Sequence, residues 1–266
     1  MANSDEGSAE RHIALLIDAD NMSHAVIGPI IAELSKYGTA NIRRAYGDWH
    51  SDHLNGWRSK LLEFAIRPMQ QVNYSKGKNA TDIALVIDAM ELLYTQRIDD
   101  FCIVSSDADF TPLIMHLKAA GKRIYGFGKE TTPSPFVNAC TTFLFVERLE
   151  VSEESVATGG ELSSDATNAP AALPKTGKEL AGNTKLLAAL RGAVEACKQD
   201  DGWAHLGAAG GAVKRQAPID PRNYNRKNFR ALFEDIGQFV IDRAPNGQPY
   251  IADKRNKDRS EKPTAK

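Results

Sequence analysis

The 266-residue chain is poor in cysteine: it has three, Cys102, Cys140 and Cys197, and no two form a CxxC pair. That spacing argues against a zinc ribbon or a disulfide framework and predicts free, buried thiols. No apolar run reaches membrane-spanning length, so no transmembrane helix is expected. GxGxxG and GxxxxGK(S/T) are both missing, which argues against a dinucleotide site or a P-loop. Neither sign of charge dominates, with 33 Lys and Arg against 34 Asp and Glu and a net charge of −1. A near-zero sum excludes a uniformly basic chain but not a local basic patch balanced by acids elsewhere. The polar, acidic opening residues resemble neither a signal nor a transit peptide, and the expected location is cytoplasmic. With 42% hydrophobic and 25% charged residues, the composition is that of a soluble globular protein.

What the chain does have is a repeated pattern of carboxylates at strand ends. Residues 101–105 form a short apolar run that leads into Asp107 and Asp109. Residues 13–17 form a second run that leads into Asp18, Asp20 and Asn21. Isolated buried carboxylates are costly, so acids placed there face solvent, cap a helix or hold a cation. In an open parallel sheet the strand carboxyl ends share one edge, where ligands bind, and two adjacent parallel strands would bring these acids together. Further strands are predicted over 40–46, 67–72, 122–127 and 141–146. Helices are predicted through Ile30 and Leu34, through Trp57 and Leu61, over 83–94, and through Leu113 and Leu117. This alternation predicts right-handed βαβ units and an α/β fold with a parallel sheet sandwiched by helices.

A basic loop with Lys76 and Lys78 leads to Asp82 in the first turn of the 83–94 helix. Asp88 lies six residues further on, on a different face, so the two acids cannot easily reach one ion. Asp82 is either a helix cap, worth ~1 kcal/mol, or a third source of carboxylate for the sheet edge. Likewise, Asp107 and Asp109 could simply cap the helix that follows. As a functional set, Asp18, Asp82, Asp107 and Asp109 would hold Mg2+ or Mn2+ for phosphodiester hydrolysis, with Asn21 bonded to a metal-bound water or a phosphate oxygen. Lys76 and Lys78 would meet the nucleic-acid backbone.

Asp18-x-x-Asn21, Lys78-Asn-Ala-Thr-Asp82 through Asp88, and Ser106-Asp107-Ala-Asp109-Phe110 resemble the motifs of NYN domains, in the LabA-like (DUF88) branch of the PIN-like nucleases. The resemblance spans roughly 11–148, within a first domain bounded at 11–150. It implies a PIN-like parallel sheet with an acidic pocket at the strand carboxyl ends. It also implies a metal-dependent ribonuclease with Asp18, Asp82, Asp107 and Asp109 as metal ligands. Asn21 matches the first motif. Asp20 and Asp88 fall within the motifs, and Asp88 is expected to bond to the loop near the first strand.

Residues 151–183 are rich in Ser, Thr, Ala, Gly and Glu, have no aromatic residue, and read as a flexible linker. Beyond it, helices are predicted over 186–197, after Trp203, and over 222–233, followed by a hairpin turned at Pro245-Asn-Gly247. Three helices and a hairpin make a small α+β winged helix. Gly202-Trp203-Ala-His205-Leu206-Gly207, Asp220-Pro-Arg222-Asn-Tyr224 and Phe239-Val-Ile resemble the OST-HTH/LOTUS domain over roughly 184–253. That resemblance implies RNA binding and, in some members, protein partners. Arg222, Tyr224, Arg226, Lys227 and Arg230 are the candidate RNA-contacting residues, although a solvated basic face and a core tyrosine are the plainer reading. His205 is expected to pack or cap. Residues 254–266 read as a basic disordered tail. The function these features predict is RNA cleavage, with non-catalytic RNA binding and a phospho-acceptor aspartate as competing readings.

Overall fold

The computed structural model describes residues 10–71, 80–149 and 176–264, and the chain divides into two units near residue 152. The first unit is built on β1 (His12–Asp18), β2 (Thr39–Gly47), β3 (Arg67–Gln70), β4 (Asp100–Val104), β5 (Arg123–Gly128) and β6 (Thr142–Phe145). They form a six-stranded sheet in the order β3-β2-β1-β4-β5-β6, and every pairing is parallel. The strand β1 is aliphatic on both faces because both faces are covered. Ile13, Leu15 and Ile17 pack with Ile27, Ile30 and Leu34 of α1 (Ile27–Leu34) and Trp57 of α2 (Trp57–Glu63). Ala14 and Leu16 face α3 (Ala80–Thr95), α4 (Thr111–Ala119) and α5 (Ser134–Ala139), through Leu85, Ala89, Ile114 and Phe136. The predicted parallel sandwich is therefore the observed fold.

Strand order fixes where a ligand can sit. From β1 the chain moves outward to β2 and β3, then returns to β4 on the other side of β1 and moves the opposite way to β5 and β6. The connections after β1 and β4 diverge, leaving a crevice beyond their carboxyl ends. Ile17 is in register with Val104, and Asp18 with Tyr46, so both acid-bearing loops leave the sheet side by side.

The second unit comprises α6 (Gly177–Gly182), α7 (Thr184–Ala196), β7 (Ala204–His205), α8 (Leu206–Gln216), α9 (Phe229–Ile236), β8 (Phe239–Arg243) and β9 (Pro249–Asp253). Its strands form an antiparallel sheet in the order β7-β9-β8. Leu190, Val194, Val213, Leu232, Phe233 and Ile251 make its core. This is the expected α+β winged helix, but three details differ from expectation. First, the stretch read as linker ends earlier: Thr176 and Glu179 form a capping box that starts α6, a pattern that satisfies two orphan backbone donors at once. Second, the helix expected over 222–233 is broken. Pro221–Tyr224 is a 3-10 turn capped by Asp220, Asn225 adopts a left-handed conformation with φ 58°, and Asn228 caps α9. Asparagine's short amide tolerates that backbone and competes for local hydrogen bonds.

Third, the tail is ordered as far as it is described, up to Thr264. Trp203 donates its indole N–H to the Ser260 carbonyl at 3.1 Å. Asp201 accepts from the Thr264 amide and hydroxyl at 2.8 and 2.7 Å, and the Arg259 guanidinium lies 5.8 Å from the Trp203 ring. Among the described residues the cysteines are free, with Cys102 and Cys140 buried and Cys197 partly so, and no helix is long and apolar enough to cross a membrane.

Candidate functional site

At the carboxyl end of β1, Asp18 is completely buried. Its Oδ2 accepts from the Asn21 amide at 2.9 Å and from the Ser105 hydroxyl at 2.7 Å, and its Oδ1 accepts from the Asn21 backbone N–H at 3.3 Å. Burial pushes the Asp18 carboxyl above its ordinary value, and these hydrogen bonds oppose the shift only in part. Ser105 directly follows β4, so this contact ties the ends of the two central strands together at the crevice. Its Oγ also accepts from the Asp107 N–H at 3.1 Å. Asp107 in turn caps the short 3-10 turn Ala108–Phe110, its Oδ1 accepting from the Asp109 N–H at 2.8 Å. The capping role weighed from sequence is therefore real for Asp107.

Asp20 joins the loop to its surroundings. Its Oδ2 accepts from the Thr81 hydroxyl at 2.8 Å, fixing the start of α3, and its Oδ1 accepts from the Asp48 N–H at 3.3 Å. A Cβ at Gly47 would lie 3.0 Å from that same Oδ1 and 2.6 Å from Leu54, so the close approach of loop and strand requires glycine there.

Thr81 leads into Asp82, whose carboxyl is pushed up to about 6, first by burial and then by the charges of Asp18, Asp107, Asp109 and Asp20. The acids that follow β1 and β4 and the one in the first turn of α3 thus share one electrostatic neighbourhood. Asp82 and Asp107 are half-buried and Asp109 is exposed. Asp88 turns away, as its spacing required. Its partners are not in the loop near β1, the expected location, but on β2, where Arg44 and the Tyr46 hydroxyl bond to its two oxygens. Residues at i and i+6 face differently, and the basic and phenolic side chains of β2 meet the inner face of α3.

The donor set suits a hard cation: oxygen ligands only, with an excess of negative charge that a divalent ion would offset. Among the described residues no three His, Cys, Asp or Glu side chains converge closely enough to enclose an ion. Mg2+ takes few protein oxygens and keeps much of its water, so an open carboxylate cluster fits it better than a closed cage.

Sequence reasoning missed Ser105 and Thr81, which fix Asp18 and Asp20. Ser105 sits where an apolar run meets an acid, and Thr81 lies in a capping position, so their signal was local and weak. A cleft of about 460 Å³ beside Asp20 and Asn21 was also missed; it is lined by His24, His53, Trp57 and Lys129. These residues come from three separate segments, and nothing in their spacing associates them.

Lys76 and Lys78 lie outside the described residues. In the second unit, Arg222 pairs with Asp220 at 2.9 Å, Arg226 with Asp235, and Arg230 with Glu234 at 2.8 Å. Tyr224 is packed against the core, and burial pushes its hydroxyl up. Lys227 is exposed. The expected basic face is thus largely matched by its own acids, and Tyr224 is a packing residue. His205 packs edge-on against Tyr250, with centroids 5.5 Å apart, and makes no side-chain cap.

An uncharacterized protein of Methanocaldococcus jannaschii is 35% identical over 126 residues, covering 46% of this chain and 49% of that protein. The chain thus spans about half the length of the curated relative it matches. A crystal structure of a protein of unknown function from Vibrio parahaemolyticus aligns with a TM-score of 0.45 and 16% identity, covering 53% of this chain and 95% of that one. The NYN domain model matches residues 12–150 and the OST-HTH/LOTUS domain model residues 182–251. NYN domains lie in the PIN-like nuclease superfamily, and OST-HTH/LOTUS domains are of RNA-binding type. With its crevice acids on a six-stranded parallel sheet and a separate winged-helix unit later in the chain, the chain belongs to the NYN domain family and carries a C-terminal OST-HTH/LOTUS domain.

Proposed function

We propose that the protein is a metal-dependent ribonuclease, an endoribonuclease, that hydrolyses RNA phosphodiester bonds at the crevice beyond β1 and β4. The reading rests above all on the crowding of Asp82 by the carboxylates of two strand ends, a charge excess that a divalent cation relieves. Asp18, Asp82, Asp107 and Asp109 would hold Mg2+ or Mn2+. Such an ion, when bound, neutralises phosphate charge and lowers the pKa of its water. The protein's own residues prepare the site. Ser105 and Asn21 orient Asp18. Asp20, through Thr81, fixes the start of the helix that carries Asp82. Attack by water on phosphorus leaves a 5′-phosphate and a 3′-hydroxyl. The winged helix supplies RNA affinity, and Lys76 and Lys78 are positioned in sequence to meet the backbone.

A second reading, an RNA-binding regulator that does not cut, draws on the capping bond of Asp107 and the saturated surroundings of Asp18. Cleavage of a 5′-labelled RNA hairpin in Mg2+, Mn2+ and EDTA, with Asp107→Asn as control, separates the two. Metal-dependent internal cuts that vanish in the variant are expected. Intact RNA in every metal, with binding retained, would favour the regulator.

A further inference from the structure

The crevice acids attract cations, yet the adjoining cleft has the opposite chemistry. Asn21 forms part of its wall, and the nitrogen-bearing residues His24, His53 and Lys129 also line it. Lys129 follows β5; its backbone N–H is fixed by the Ser106 hydroxyl at 2.8 Å, while its side chain is exposed. Among the described residues the Lys129 ammonium pairs with no carboxylate. His53 is exposed on the 3-10 turn Asp52–Leu54. The Nδ1 of His24 is buried without a hydrogen-bond partner, an arrangement that costs stability unless a ligand or water completes it. The imidazole is seated by Gly56, where a Cβ would lie 2.2 Å from its Nε2.

The other walls narrow the choice of ligand. Trp57 is 2% exposed and donates its indole N–H to the Met22 carbonyl at 3.3 Å, so it is a wall rather than a platform for a stacked base. The carboxylate of Asp20 is taken up by Thr81 and the Asp48 N–H. What remains free is a group of donors suited to an anion, in a volume large enough for one nucleotide.

We infer that this cleft holds a phosphate of the RNA chain next to the scissile one, with Lys129, His53 and His24 as its donors. The inference rests on the ribonuclease reading for its choice of ligand but not on cleavage for its test. The cleft would act as a positioning subsite: it fixes the strand at one phosphate, while the acids and their cation engage the neighbouring one.

The test uses the full chain in EDTA, where binding is measured without turnover. Affinity for a single-stranded RNA is followed across a salt series for wild type, Lys129→Ala and His53→Ala, whose exposed side chains leave the core untouched. Loss of one charge-assisted phosphate contact should weaken binding by roughly tenfold for Lys129→Ala. It should also reduce the slope of log affinity against log salt by about 0.7. In parallel, inorganic phosphate titrated into the wild type should shift the ring resonances of His24 and His53. Unchanged affinity and slope in both variants, with still histidine signals, would overturn the subsite. A separate incubation with Mg2+ or Mn2+ reports on the nuclease reading alone. Variants that lose RNA affinity in a protein that never cuts would keep the subsite and remove the enzyme.

Discussion

β4 carries carboxylates at both ends, and the two ends are built on opposite principles. At the amino end, Asp100 is fully buried and held between Arg11, at 2.6 and 2.8 Å, and Arg123, at 2.9 and 3.1 Å. Burial alone would raise its pKa, but the two guanidinium groups outweigh it, and the carboxyl lies below its ordinary value. At the carboxyl end, where Asp107 and Asp109 follow β4, the neighbouring acids are Asp18 at the end of β1, buried, and Asp82 of α3, half-buried; their charged neighbours are other carboxylates, and both are raised. The first arrangement is electrostatically closed and serves the fold. Among the described residues the second has no guanidinium or ammonium paired with its acids, and a site of that kind is expected where a ligand supplies positive charge.

Exchanging one acid at each end is the most direct way to break this contrast. Asp107→Asn should abolish metal-dependent RNA cleavage, a loss of at least about a hundredfold, while circular dichroism and melting temperature stay near wild type. Asp100→Asn should do the reverse. Removing one partner of a buried ion pair costs about 3–5 kcal/mol, and the part-exposed arginines place this case at the lower end. For a chain of this size, ~3 kcal/mol lowers the melting temperature by roughly 6–12 °C, with activity per folded molecule retained. The pH dependence has a definite sign. Because the folded pKa of Asp100 is depressed, its contribution is present above the unfolded value and is lost as pH falls through the folded one. Acid titration of Asp100→Asn should therefore lack a destabilising step that wild type shows below about pH 4.

Asp82 sharpens the contrast further, because here the expected change in stability is a gain. Its folded pKa, about 6, lies above its ordinary value of 3.8. Stability linked to its proton is thus fully present below 3.8 and lost as pH rises through 6. In EDTA at pH 8, Asp82→Asn should melt a few degrees higher than wild type, and at pH 4 the two should coincide. Excess Mg2+ should raise wild type more than the variant. A variant that melts lower at pH 8 would mean that Asp82 serves the fold, as a helix cap does.

Much of this was legible in the chain because the signals were local. The aliphatic run at 13–17 and the apolar run at 101–105 read as strands that end in acids, and those acids could be assigned to one edge once parallel pairing was assumed. The six-residue step from Asp82 to Asp88 by itself separated their roles. What could not be read was the identity of partners distant in sequence. Asp88 finds Arg44 and Tyr46 on β2, and Asp100 joins residues 89 and 23 positions away. Composition also misled in both flanking segments of the second unit. The charged residues of 254–264 suggested disorder, yet Asp201 and Trp203 hold them in place. The break at 225–228 was written in two asparagines that helical periodicity overrode.

The smallest effects are expected in the second unit, where the same distinction between paired and unpaired charge applies to cations. Arg222 is bound to Asp220, which also caps the 3-10 turn, so its guanidinium serves the turn. Lys227 is exposed, and among the described residues its ammonium meets no carboxylate. If the winged helix contacts RNA phosphates through its unpaired cations, Lys227→Ala should weaken RNA binding a few-fold and lower the salt slope by about 0.7, the release expected for one single-strand phosphate contact. Arg222→Ala should change the salt slope less but lower the melting temperature of this unit, because Asp220 would be left buried with fewer partners. Equal effects of both substitutions on the salt slope, with no change in melting, would mean that pairing in the free protein does not predict which cations reach RNA, because the arginine then leaves its aspartate on binding.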